Sequence, residues 1–199
     1  MSLSGKTIII TGASSGIGAA VARNLAEDGA NLILAARRKD KLEEVQASLP
    51  DDGGQSAIAV GDVQDEGFNQ SLVEIAQFKF GGLDSAFNNA GILGDLGPVP
   101  EMPLDTWNDV LSINLTSAFL AAKYQIPAMK KNGGGSIVFT SSFVGHTVGM
   151  PGMGAYAASK AGMIGLTQCL AAEHGSENIR VNALLPGGTR TDMAGSDPE

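Results

Sequence analysis

Tyr156 and Lys160 stand four residues apart in Tyr156-Ala157-Ala158-Ser159-Lys160, and acid–base chemistry is possible at that spacing. On a helix, a four-residue step sets a phenol and an ammonium on one face, one turn apart. A phenol is a weak acid with a pKa of about 10. A fixed ammonium beside it favours the phenolate and pulls that value toward working pH, where moving a proton on or off an oxygen is most effective. An ordinary amphipathic helix can carry the same two residues, so the pair gains meaning only from its company.

The second group with chemical potential is near the N-terminus. Lys6 to Thr11 is short, β-branched and followed by glycine, the pattern of a strand buried on both faces. Gly12-Ala13-Ser14-Ser15-Gly16-Ile17-Gly18 follows, then Ala19 to Asp28 with Ala20, Val21 and Leu25 at helical spacing, closed by Gly29. Asn31 to Ala36 makes another buried strand, so the stretch reads as a βαβ unit with parallel strands. A helix that starts just after a strand exposes unpaired N–H groups and a positive dipole end. Glycines there let a pyrophosphate approach the backbone. The spacing Gly12, Gly16, Gly18 departs from G-x-G-x-x-G, yet its place at the first βα junction favours a dinucleotide.

The end of the second strand selects the cofactor. A carboxylate about twenty residues past the glycines would hold the ribose 2′-hydroxyl of NAD. This chain has Ala35-Ala36-Arg37-Arg38 there, which offers guanidinium forks to a phosphate and no acid to repel it. NADP is therefore expected over NAD, with Asp40 keeping a NAD alternative open. Arg37, Arg38 and Lys39 could instead be solvated charges, but cations at a helix start are mildly unfavourable.

The remaining elements must position these groups. Helices are expected at Lys41 to Leu49, Glu66 to Phe80, Leu104 to Met129 (with a break near Ser112) and Tyr156 to His174. Strands are expected at Ala57 to Val60, Ser85 to Phe87, Ser136 to Thr140 and Ile179 to Leu185. Six strands alternating with helices predict an α/β fold, a doubly wound, mainly parallel sheet with helices on both faces, Rossmann-like.

Composition narrows the function further. A chain of 199 residues with 43% hydrophobic residues fits a single domain, residues 1–199. No apolar run is long enough to span a bilayer and no leader pattern opens the chain, so a cytoplasmic protein is expected. A net charge of −8 argues against nucleic-acid or anionic-membrane partners. The single Cys169 excludes an internal disulfide and, in its apolar helical stretch, reads as a small core residue. His146 and His174, far apart and with no acid cluster, make no metal site; His174 suits the C-terminal end of a helix dipole.

The glycine turn, Asn88-Asn89-Ala90-Gly91, Ser141-Ser142 and Tyr156-x-x-x-Lys160, in that order, resemble the short-chain dehydrogenase/reductase family from Lys6 to Met193. The resemblance implies hydride exchange between a nicotinamide and a carbonyl or secondary alcohol, with Tyr156 as general acid/base and Lys160 holding the nicotinamide ribose. It implies Ser142 as the holder of the substrate oxygen, with Ser141 the second choice, and Asn114 as the residue that keeps a water near the lysine. Asn114 also suits a local helix bend. For the cofactor it implies the turn residues Gly12, Ser14, Ser15, Gly16, Ile17 and Gly18, with Arg37 and Arg38. It implies Asp62 and Val63 at the adenine, Asn88, Ala90 and Gly91 along the adenosine wall, and Pro186, Gly187, Thr189 and Thr191 at the carboxamide.

Arg190 is a solvated loop residue or a ligand contact. Met150, Pro151 and Met153 either line a substrate pocket or pack a loop. Trp107 and Phe119 read as core or subunit-contact residues, and a homo-oligomer, dimer or tetramer, is what the resemblance implies. Family members usually continue with a substrate-covering helical segment and a last strand, which this chain is expected to lack. Two rival functions remain: a 3-oxoacyl-thioester reductase, with Lys130-Lys131 as a small docking face for an acidic carrier, and a non-catalytic nucleotide sensor or scaffold.

Overall fold

The computed structural model describes residues 3–51 and 53–191. Six strands form one parallel sheet: β1 (Thr7–Thr11), β2 (Asn31–Ala36), β3 (Ser56–Val60), β4 (Ser85–Asn88), β5 (Gly135–Thr140) and β6 (Ile179–Leu184). Their order across the sheet is β3-β2-β1-β4-β5-β6, with β1 paired to β2 on one side and to β4 on the other. The chain winds outward from β1 in both directions, so the β1–β4 border is the topological switch point, where ligands of open α/β sheets bind.

The helices are α1 (Gly16–Glu27), α2 (Lys39–Ala47), α3 (Glu66–Phe80), α4 (Leu104–Leu111), α5 (Ser117–Lys131) and α6 (Gly154–His174). Successive residues of a strand point to opposite faces, and β1 shows the consequence directly. Ile8 and Ile10 pack with Ala19, Ala22 and Ala26 of α1 and with Leu42 and Val45 of α2. Ile9 packs on the other side with Leu72 and Ala76 of α3, Ile126 and Met129 of α5 and Met163 of α6. Burial on both faces is why β1 and β2 read as unbroken apolar runs rather than alternating ones. Truncating a fully buried side chain such as Ile9 or Ile33 to alanine would cost about 2–5 kcal/mol.

The element boundaries follow local chemistry. Asp65 caps α3 by accepting from the Gly67 and Phe68 N–H groups, and Gly81, at φ 82°, ends it in the left-handed region. The break expected near Ser112 is a π-helical turn, Ser112–Thr116, between α4 and α5. Helix α1 begins at Gly16, inside the glycine turn, and not at Ala19; α2 runs from Lys39 and stops at Ala47. Helix α6 begins two residues before Tyr156, which puts that residue within its first turn. Cys169 is exposed, a correction: α6 has small or apolar residues nearly all round, so its inward face was not marked by polarity. Asp192 to Glu199, including Met193, lie outside the described residues.

Candidate active site

A cleft of about 560 Å³ opens over the C-terminal ends of the strands at the switch point. One end is the glycine turn. Gly12 sits at φ +67°, where a side chain is strained, and a Cβ on Gly18 would come within 2.2 Å of the Gly12 carbonyl oxygen. Glycine at both positions lets α1 close onto the end of β1. Gly12, Ser14, Ser15, Gly16 and Ile17 line the cleft; Gly18 does not, and serves this packing instead.

The first turn of α1 carries no acidic residue, and Ser15 at its cap makes no side-chain bond to the helix N–H groups. Helix α3 differs, since Asp65 satisfies its N-terminal donors. The donors of α1 therefore meet the cleft unclaimed by a side-chain cap, with the positive end of the dipole, an arrangement that fits a pyrophosphate. Arg38 reaches back over this turn and donates to the Ser14 and Ser15 hydroxyls at 3.1 Å each. Arg37 stands 3.8 Å from Asp62, whose own carboxylate accepts from the Gln64 N–H and closes a turn around Val63. Arg37, Arg38, Asp62 and Val63 all line this end.

At the other end Tyr156, Lys160 and Ser142 line the cleft together. The Lys160 side chain is only 3% exposed. Its Nζ donates to the Thr140 carbonyl at 2.6 Å and lies 5.6 Å from the Tyr156 ring centroid. Burial disfavours its charge and lowers its pKa from the ordinary 10.5 to about 8. The two serines at the end of β5 have separate tasks. Ser141 is 1% exposed and donates to the Lys160 carbonyl at 2.8 Å, fixing α6 against the strand. Ser142 accepts from the Val144 N–H at 3.1 Å; among the described residues nothing receives its hydroxyl proton. The Tyr156 hydroxyl likewise has no partner among them, which leaves both groups available to a ligand oxygen.

A supporting layer holds these groups. Thr11, the last residue of β1, accepts from the Asn89 and Ala90 N–H groups at 3.0 and 3.1 Å. Asn89 in turn accepts from the Thr140 hydroxyl at 3.2 Å, so the tips of β1, β4 and β5 are tied in one row that ends at Lys160. Asn114, fully buried in the π-turn, lies behind the cleft wall. Its amide exchanges two hydrogen bonds with the Ile92 backbone and donates to the Ser159 hydroxyl at 3.0 Å.

Most of the residues expected from the sequence meet in this one cleft: Ala90, Gly91, Pro186, Gly187, Thr189 and Thr191 line it, as do Met150 and Met153. Asn88 does not. Its side chain turns inward and exchanges two hydrogen bonds with Gln125 at 2.9 and 3.0 Å, while its neighbour Asn89 lines the cleft. Alternation at the end of β4 decides between them. Arg190 and His146 are exposed and outside the lining; His174 ends α6 and bonds Glu177 at 2.8 Å. Thr11, Thr140 and Ser159 were missed, and the only signal for them was a hydroxyl at a strand tip or one turn along the Tyr–Lys helix.

An anion cradle and a proton-transfer pair that share one cleft define a class: an oxidoreductase working with a nicotinamide dinucleotide. The family model for short chain dehydrogenases matches residues 6–199. A 2,5-dichloro-2,5-cyclohexadiene-1,4-diol dehydrogenase of Sphingobium indicum is 44% identical over 192 residues, 96% of this chain and 75% of that one. The crystal structure of a levodione reductase superposes with a TM-score of 0.92 at 36% identity, over 96% of this chain and 75% of that one. A 3-ketoacyl-ACP reductase from Sinorhizobium meliloti 1021 does so with 0.88 at 39% identity, over 91% and 71%. The chain belongs to the short-chain dehydrogenase/reductase family and is an NAD(P)-dependent oxidoreductase acting on CH–OH and C=O groups. No helix among the described residues is long and apolar enough to cross a membrane.

Proposed function

We propose that this protein interconverts a ketone and a secondary alcohol with NADP(H), using Tyr156 as general acid/base. The observation that carries this is the meeting in one cleft of the Tyr156 hydroxyl, the Ser142 hydroxyl with its proton unclaimed among the described residues, and the buried Lys160. The nicotinamide supplies or accepts the hydride with its two electrons. In reduction Tyr156 gives its proton to the carbonyl oxygen, and in oxidation it takes the alcohol proton. Ser142 donates to the same oxygen, where negative charge develops. The Lys160 ammonium stabilises the phenolate left behind and, held by Thr140, is positioned to bond a ribose hydroxyl.

For the cofactor, Arg37 and Arg38 would hold the 2′-phosphate, with Arg38 already anchored over the glycine turn. Asp62 and Val63 would flank the adenine, and Pro186, Gly187, Thr189 and Thr191 the carboxamide; all six line the cleft. Asn114 acts as a support for Ile92 and Ser159 and places its π-turn beside the lysine. The likeness to a cyclohexadienediol dehydrogenase supports a cyclic secondary alcohol as substrate. Half-exposed Phe119 on α5 supports a homo-oligomer packed on that helix; light scattering at working concentration reads its size.

Reduction of a thioester-linked 3-oxoacyl group is the second reading, favoured by the likeness to a 3-ketoacyl-ACP reductase. Lys130 and Lys131 give it no docking face, because α5 ends at the N-terminal edge of β5, opposite the cleft, and Lys130 pairs with Glu177. Initial rates with NADPH and NADH on cyclohexanone, an acyclic ketone and a 3-oxoacyl thioester decide among these. Turnover of the ketones with NADPH preferred supports the proposal; turnover of none of the three contradicts it.

A further inference from the structure

The cleft has two chemically different ends. Its charged lining residues are Arg37, Arg38, Asp62 and Lys160, and three of the four lie at the glycine-turn end. The apolar part of the lining includes Leu93 and Leu96 after β4 and Phe143, Val144, Met150 and Met153, all four in the loop between Ser142 and Tyr156. Among the described lining residues the one charge on that side, Lys160, is buried with its Nζ bonded to the Thr140 carbonyl.

This wall is built from two separate stretches of chain joined together. The segment after β4 and the loop before α6 meet where the Gly97 N–H donates to the Gly152 carbonyl at 3.1 Å. The bond holds Leu96 and Met150 on one rim, 58% and 42% exposed respectively. Apolar side chains kept at the rim of a catalytic cleft gain by covering themselves with an apolar ligand. An anion placed against them would lose its water, and among the described residues that line the cleft no further cation stands beside them in return.

We propose that Leu96 and Met150 select an uncharged, apolar ketone or alcohol and reject a substrate whose body carries a carboxylate or phosphate. The proposal rests on the oxidoreductase activity proposed above. Selection is by shape and desolvation, with no ion pair to anchor the substrate. Leu96 and Met150 act as specificity-determining residues on a tied wall, and neither takes part in proton transfer.

Two ketones of nearly equal shape test it: 4-methylcyclohexanone and 4-oxocyclohexanecarboxylate, each reduced by the wild-type protein with NADPH. The expected kcat/KM favours the methyl compound by at least about 100-fold. Met150→Lys lowers that ratio by at least about 10-fold, with the KM for NADPH within about 2-fold of wild type. Leu96→Lys, on the other half of the wall, reads the same ratio should Met150→Lys fail to fold. Equal or better use of the carboxylate by wild type, or a ratio unmoved by both lysine variants, overturns the proposal and leaves the oxidoreductase activity standing. No turnover of either ketone or of an acyclic one overturns both.

Discussion

Lys160 is bonded both to Thr140 and to its neighbour Ser141, once through its side chain and once through its own carbonyl. The Lys160 Nζ donates to the Thr140 carbonyl at 2.6 Å, and the residue after Thr140, Ser141, donates to the Lys160 carbonyl at 2.8 Å. Both bonds are buried, so water does not compete for them. They fix the register of α6 against the tip of β5 and thereby set Tyr156, one turn before Lys160, opposite Ser142, two residues after Thr140. A proton-transfer site needs placement within a fraction of an ångström. Here that placement comes from main-chain acceptors, which side-chain mobility cannot loosen.

Burial of Lys160 makes activity sensitive to alkali. Its pKa is lowered to about 8, so the ammonium is present below that pH and lost above it. The kcat for reduction is expected to fall as pH rises through about 8, and Lys160→Arg, which keeps its charge, should shift that fall upward. A pH profile of kcat checks this.

The same group affects stability in the opposite sense. Lys160 holds its proton less tightly folded than unfolded, so the unfolded chain binds more protons between about pH 8 and 10.5. Stability relative to Lys160→Met should be flat below pH 8 and rise across that window by on the order of 3 kcal/mol. Urea unfolding of both proteins at pH 7, 9 and 10.5 measures the difference; a fall across the window contradicts it.

Ser141 and Ser142 are expected to differ in catalysis. Ser142→Ala removes a donor to the developing oxyanion and should lower kcat/KM by about 100-fold or more, beside a stability loss of about 1–3 kcal/mol from the buried Val144 N–H left without its acceptor. Ser141→Ala leaves the Lys160 carbonyl short of a buried donor and should cost about 1–3 kcal/mol of stability, with kcat changed less than about 10-fold.

Gly18 and Gly165 make a matched pair. Alanine at Gly18 drives its Cβ into the Gly12 carbonyl and should weaken NADPH binding by at least about 10-fold while destabilising the fold. Alanine at Gly165, inside α6 with nothing near its Cβ, should stabilise by about 0.5–1 kcal/mol. Thermal melts and NADPH titrations report both.

How much of this was legible depends on distance along the chain. The glycine turn and the Tyr156–Lys160 pair are local patterns: the turn follows β1 as expected, although α1 starts inside it at Gly16 and not at Ala19, and the pair lies on α6. The sequence points to Asn88 rather than Asn89 for the cleft, because only the pairing of β4 shows which of two adjacent side chains turns inward. Arg38, anchored to Ser14 and Ser15 from 24 and 23 residues away, could be placed beside Arg37 but not given its partners. The tie from Lys160 to Thr140 was out of reach for a stronger reason: its acceptor is a carbonyl, which every residue possesses.

Cofactor choice is the next point to measure. Arg38→Ala and Arg37→Ala should each raise the KM for NADPH by about 10–100-fold and leave that for NADH nearly unchanged, as expected for loss of a charge-assisted bond to a phosphate. Equal loss for both cofactors would remove the basis for assigning NADP.

The central claim is that the Tyr156 hydroxyl moves the proton that accompanies the hydride. Tyr156→Phe keeps the ring and its packing and deletes only that group, so single-turnover reduction of a ketone with NADPH, alongside a fluorescence titration of NADPH, tests it directly. The expected result is a loss of at least about 1,000-fold in the reduction step with NADPH affinity within about 3-fold of wild type. Reduction at a rate within 10-fold of wild type by a folded, NADPH-binding Tyr156→Phe protein would contradict the account.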